Sequence, residues 1–346
     1  MNAMNYFHFM HIGIKEIAIF EHLQLYMDRD CNYNINQEKG TCLTGTEVYR
    51  TRMKEIDQMN VSYMPALFTA FLCWGTQYVM SKIALQTLPP VTLLLVRYAV
   101  AVPTLFLLLI FRRKLKPLQR KDVKMVAAIG FTGYFFSFCV QMMGINRLSG
   151  SVSSLLGAMH PVLIPILAAL FLKEKLTMAR IACVFVSMTG VVIIVGVDGT
   201  ADPVGVVLML FATLLWSGAS IIIRRIAPHY DPMQVAMMAI LFATPLTAVW
   251  SAIELQTHSA SFPMKTLLAA LFMGTIGTAA PHSLWNYCLS KMDASFCSMF
   301  YPLQPLVSAT LGVLFLGEQI TTAYVVGAVV ICCGIVGAVI SGKKRA

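Results

Sequence analysis

Arg97 is the only charge well inside an apolar run of this 346-residue chain. It lies about seven residues, or roughly 10 Å of helix, beyond Pro90. A guanidinium at membrane depth costs at least about 2.5 kcal/mol, so it must face protein or water. Two chemistries fit: a bidentate anchor for a substrate carboxylate or phosphate, or a structural arginine bonded to helix-end carbonyls near the outer face. His160, His282, Asn286, Gln141 and Gln304 add neutral polarity within apolar surroundings, and Trp74, Tyr78, Trp216, Trp285 and Tyr301 add aromatic faces. Such a set suits a polar or zwitterionic solute, with aromatic walls or cation–π contacts. The plain alternatives are a neutral histidine bonded to a neighbouring helix, worth about 0.6 kcal/mol, and aromatic residues anchored at the interface.

No carboxylate falls inside an apolar run. A proton-driven cycle would therefore have to use His160 or His282, since imidazole titrates near neutrality; uniport or exchange needs neither. A membrane enzyme would require clustered carboxylates, an HxxxH-type metal set or a Ser/His/Asp constellation in the spans. None occurs, and the sequence calls for no cofactor and no metal. His8 and His11 form a lone pair without further ligands. Seven of the nine cysteines lie in or beside apolar runs without CxxC spacing and read as small apolar fillers.

The elements that position these residues must be transmembrane helices. Hydrophobic residues make up 58% of the chain, charged residues 12%, and mean hydropathy is +0.72, a balance suited to lipid rather than water. Apolar stretches of spanning length follow one another at 64–86, 90–111, 122–143, 151–172, 178–197, 203–223, 232–253, 265–288, 295–316 and 322–341. Alternating barrel strands are absent, which leaves an all-α integral membrane fold of ten helices. Residues 1–58 hold six Lys/Arg and eight Asp/Glu and no such stretch. They read as a polar leader, disordered or outside the mature protein, with Met59 or Met64 as the start.

The loops that would face inward carry sixteen Lys/Arg, whereas the opposite loops carry Lys82, Arg147 and Lys265 beside Asp198, Asp202, Glu254 and Glu318. By the positive-inside rule both termini are cytoplasmic, in a multi-pass protein of the plasma membrane. The net charge of +10 is then accounted for by topology and anionic lipid, and nucleic acid is an unnecessary partner.

The chain repeats itself. A shift of 142 pairs Trp74 with Trp216, Pro90 with Pro232 and Pro103 with Pro245; a shift of 144 pairs Gly130 with Gly274, Gly133 with Gly277, Ser151 with Ser295, Pro161 with Pro305 and Gly190 with Gly334. The halves are 59–198 and 199–346. Five helices per half is an odd number, so the copies enter the membrane from opposite sides, and such inverted repeats around a midplane site are the physical basis of alternating access. Positions where the halves differ in polarity are the better candidates for recognising an asymmetric solute: His160 against Gln304, Phe138 against His282, Gln141 against Trp285, Met142 against Asn286, and Gly157 against Tyr301. His282 and Asn286 share one helix face at i, i+4. Pro161 and Pro305 leave the carbonyls of Gly157 and Tyr301 without their helical donor and read as hinges near the cavity.

The tandem LFLKEKLT and LFLGEQIT blocks, their preceding prolines, the Trp-Gly and Trp-Ser pairs at 74 and 216, and Arg97 resemble the EamA family of the drug/metabolite transporter superfamily over residues 60–342. The resemblance implies ten helices around a cavity lined by helices 1, 3, 4, 6, 8 and 9, export of small metabolites or amino acids, and a cap or gate contact for Glu174 and Glu318. Nucleotide-sugar or sugar-phosphate exchange, within the same superfamily, would call for more buried cations than one arginine. The partners so implied are a small solute and the bilayer, with protons as an optional coupling ion.

Overall fold

The computed structural model describes residues 45–172, 202–292, 294–298 and 300–343, with positions 178, 182–183, 185–186, 188–190 and 193 between them, and side chains from Tyr63. The span expected at 178–197 and Glu174 therefore lie largely or wholly outside the described residues. Among those described the protein is entirely helical, with no strand.

The first helix, α1 (Gly45–Ala84), contains Pro65. It begins inside the polar leader, so 45–58 are helical where the composition suggests disorder; a helix already nucleated by an adjoining span extends at little cost through good helix formers such as Glu55, Lys54 and Met53. The chain divides into compact units at Thr69 and Ala70. The second unit holds all that follows.

α2 (Pro90–Phe111) and α3 (Arg120–Arg147) complete the first three expected spans. The fourth is broken into α4 (Gly150–Gly157) and α5 (His160–Leu172). α6 (Pro203–Ile226) and α7 (Pro232–Thr257) follow, then α8 (Met264–Lys291). The ninth expected span is also broken, into α9 (Ala294–Ser298) and α10 (Leu303–Leu316), and α11 (Thr322–Lys343) closes the described chain. Five helices, α2, α3, α6 extended to His229, α7 and α8, are long and apolar enough to cross a membrane.

Local chemistry sets these boundaries. Proline opens α2, α6 and α7, where its missing N–H is no loss. Asp202 accepts from Val204 N at 2.9 Å and Asp231 from Met233 N at 2.9 Å, capping α6 and α7. α2 is capped from a distance: the Glu254 carboxylate of α7 accepts from Val91 N at 3.2 Å, Thr92 N at 2.8 Å and Thr92 Oγ1 at 2.9 Å. The first turn of α4 is held similarly. Glu318, just beyond α10, accepts from Gly150 N at 2.6 Å and Ser151 N at 3.1 Å, with the Ser151 hydroxyl as a third donor.

The prolines act earlier in the chain than a simple kink would place them. The helix stops before each, at Ala158–Met159 and at residues 300–302, and restarts with Pro161 or Pro305 in its first turn, where the missing N–H and the ring's clash with the carbonyl four residues back do no harm. The carbonyl freed at Tyr301 is taken by Gln304 N at 3.0 Å. Pro103 and Pro245, by contrast, lie within helices that continue.

Candidate functional site

The two breaks flank a recess. It is partly open and holds about 340 Å³ of space not filled by atoms, the solvent at its mouth included. α1 contributes Trp74, Gln77 and Tyr78, α3 contributes Phe138 and Gln141, and α6 contributes Trp216. The break regions supply His160 at the start of α5, Tyr301 in the turn before α10, and Gln304 on α10. Gly157 makes room for the Tyr78 hydroxyl, which lies 2.2 Å from where a Cβ on Gly157 would sit.

The lining is aromatic and neutral. Trp74 and Tyr301 face one another nearly parallel at 17° and 6.0 Å between centroids, and Phe138 lies against Trp216 at 28° and 5.1 Å. Trp216 Nε1 donates to Tyr301 Oη at 3.0 Å. His160 Nδ1 lies 2.7 Å from Ser217 Oγ, whose own proton goes to Thr213 O at 2.8 Å. Ser217 therefore accepts, His160 carries its proton on Nδ1, and Nε2 is left as an acceptor.

Seven of the sequence-derived candidates, Trp74, Tyr78, Gln141, His160, Trp216, Tyr301 and Gln304, meet in this lining; Arg97, His282, Trp285 and Asn286 do not. Arg97 is fully buried, its Nε and Nη2 donating to Thr278 Oγ1 at 3.2 and 2.9 Å and its Nη1 directed at Met142 Sδ at 3.8 Å. Its guanidinium lies 5.8 Å from the centroid of Phe138, the ring that separates it from the recess. Neither expected role, substrate anchor or ligand of helix-end carbonyls, matches these partners. Among the described residues no carboxylate pairs with it.

His282 is held behind the same wall. Its Nδ1 donates to Thr278 O at 2.8 Å, and the rings of Trp74, Tyr134, Phe138 and Trp216 surround it at 5.2 to 5.4 Å. Asn286 Nδ2 donates to Pro232 O at 3.2 Å, and Trp285 is fully buried against Trp74 and Tyr301. The shared face of His282 and Asn286 thus packs inward as structure. Steric order, which sequence spacing does not encode, is the reason: larger rings from α1, α3 and α6 stand in front.

Phe138, singled out in the sequence only as the counterpart of His282, joins the lining, and so does Gln77, which was not singled out. Gln77 had a signal, since Trp74, Gln77, Tyr78 and Ser81 fall at i, i+3, i+4 and i+7 on one face of α1. Beyond the recess, Glu318 accepts from the first turn of α4, and Lys82 donates to Ile145 O at 3.2 Å and Asn146 O at 3.3 Å beside it. At the ends of α3 and α6, Arg147 donates to Asp202 at 2.8 Å and holds that carboxyl below its ordinary range. Among the described residues no His/Cys/Asp/Glu cluster could hold a metal.

The profile of the EamA-like transporter family matches residues 61–196 and again 203–340. An uncharacterized transporter of Bacillus subtilis strain 168, YoaV, is 26% identical over 286 residues, covering 80% of this chain and 96% of its own length. A second from that organism, YcxC, is 27% identical over 306 residues, covering 83% and 96%. An uncharacterized transporter of Archaeoglobus fulgidus is 26% identical over 263 residues, covering 76% and 93%. A solved crystal structure shares the fold with a TM-score of 0.62 at 19% identity, covering 81% of this chain and 99% of that one.

Proposed function

The chain belongs to the EamA-like transporter family, and on that premise we propose that it exports small metabolites or amino acids from the cytoplasm by alternating access of the central recess. It is a multi-pass membrane transporter. In this reading it works as ten helices in two inverted five-helix repeats, 59–198 and 199–346, in the plasma membrane with both termini cytoplasmic. The observation that carries the proposal is the recess itself: its lining comes from both repeats and sits where two helices break at corresponding positions. Broken helices around a central site are how transporters expose polar groups at membrane depth and swing one half against the other.

Glu318, gripping the first turn of α4, is on this reading the contact that closes the outer end, and Glu254 on α2 reinforces it. If the cycle is proton-driven, His160 is the imidazole of the lining and the carrier of the proton. Nucleotide-sugar or sugar-phosphate exchange is disfavoured because no cation belongs to the lining.

Metabolite profiling of the medium from cells overproducing the full chain tests export. Solutes should accumulate over the empty-vector control and fall back to it with His160→Ala or Gln141→Leu at equal membrane abundance. A medium identical to the control defeats the direction; unchanged export by both variants defeats the site.

A further inference from the structure

The recess brings together many aromatic and amide groups and not one formal charge, and this restricts what it can hold. An ion moved from water into such surroundings loses hydration worth several kcal/mol and regains it only against a partner charge. A zwitterion would need two partners, and the lining offers none. A cation would meet the unpaired Arg97, with only the Phe138 ring between them. An anion would find the guanidinium turned the other way, toward Thr278 and Met142.

Three of the nine lining residues are primary amides, beside His160 and the phenols of Tyr78 and Tyr301. Gln77, Gln141 and Gln304 line it, and Gln77 and Gln141 each keep a buried amide oxygen without a protein partner. Among the described residues neither has its nitrogen bonded to protein, so each amide, turned toward the recess, can offer a donor and an acceptor side by side. The complement to that pair is an edge carrying an acceptor and a donor together. His160 Nε2 adds one further acceptor. Flat indole and phenol walls at Trp74 and Tyr301 provide faces on which a planar ring can stack.

We propose that the recess recognises an uncharged planar heterocycle with adjacent donor and acceptor groups, of the lactam or ring-carboxamide type, with Gln77 and Gln141 reading its edge. This rests on the recess being the transport site. It makes Gln77 a specificity-determining residue, given room by Gly277, where an added Cβ would stand 3.3 Å from the Gln77 oxygen.

Calorimetric titration of the purified full-length chain with a matched ring series decides the matter: nicotinamide (uncharged), nicotinate (anion), phenylalanine (zwitterion) and benzylamine (cation). Nicotinamide should bind at least about tenfold more tightly than each of the charged solutes, and Gln77→Leu or Gln141→Leu should weaken it by about tenfold while leaving the melting midpoint in place. Gly157→Leu, which crowds the Tyr78 hydroxyl at the recess wall, reports on the site when compared with a protein whose melting midpoint is unchanged. If a charged solute binds best and Gly157→Leu abolishes it, the recess stands as the site and the substrate class is overturned. If nicotinamide binds but ignores Gly157→Leu and both glutamine variants, the site reading falls with it. Absence of saturable nicotinamide binding overturns the proposal outright.

Discussion

α3 and α8 are each 28 residues long, and each widens into π-helical turns at a glycine pressed against a helix of the other half. Gly130 lies where a Cβ would stand 2.6 Å from Ala239 O and 2.8 Å from Phe242 Cβ of α7; at Gly274 it would stand 2.4 Å from Val100 Cβ of α2. The π stretches follow, at Gly130–Ser137 and Thr275–Ala279. Beyond them the two helices part. Phe138 and Gln141 face the recess, whereas their counterparts His282 and Trp285 are sealed behind it. Met142 lies under Arg97, whereas Asn286 ties α8 to the start of α7. Small residues common to both copies set the backbone; bulk and polarity at unmatched positions decide which copy builds the wall and which one backs it.

The largest effects should come from the shared glycines. Gly130→Val and Gly274→Val each force branched atoms into backbone or Cβ already in contact, and overpacking of that kind costs about 1–3 kcal/mol or more. Both variants should lose the monodisperse peak on size exclusion in detergent, and tolerance of one alone would break the equivalence. Next come the unmatched pairs. Trp285→Ala empties a fully buried site and should lower stability by about 3–5 kcal/mol, read by thermal unfolding, whereas Gln141→Leu should remove transport and leave the midpoint within a degree or two. The reverse pattern would exchange the roles of the two helices.

Arg97→Lys sharpens the assignment of the backing layer. A lysine lacks the planar fork that reaches Thr278 and Met142 together, so the yield of folded protein should fall while the KM of what folds stays unchanged; a raised KM with normal yield would return Arg97 to the substrate. The smallest effect belongs to Asp202→Asn. That carboxylate meets Arg147 in an exposed pair, where solvent screens most of the attraction, and the amide can still cap α6 through Val204 N. The unfolding midpoint should not move measurably.

Much of this was legible in the residues. Hydropathy runs marked the five long apolar helices, and the shift of 144 aligned the glycines at which α3 and α8 widen. The paired prolines marked the two helices that break, though the chain breaks ahead of them because a proline fits the first turn of a helix and not its interior. Polarity differences between the halves picked out four lining residues, Gln141, His160, Tyr301 and Gln304, while Trp74, Tyr78 and Trp216 stood out as aromatic faces, since exposing polarity at membrane depth is costly enough to leave a mark. The same criterion also selected His282 and Asn286, which lie outside the lining: His282 Nδ1 and Asn286 Nδ2 bond Thr278 O and Pro232 O, while His282 Nε2 and Asn286 Oδ1 are buried without a partner among the described residues.

The sequence by itself thus determined the membrane class, the two repeats and the prolines beside which two helices break, because burial of apolar surface and backbone sterics act along the chain. Only the tertiary structure decided that Phe138 stands between Arg97 and the recess, that Gln77 belongs to the lining, and that Glu254 and Glu318 cap helices of the other half. Those outcomes depend on which side chain arrives first at a shared volume between helices more than a hundred residues apart, and no spacing within one helix carries that information.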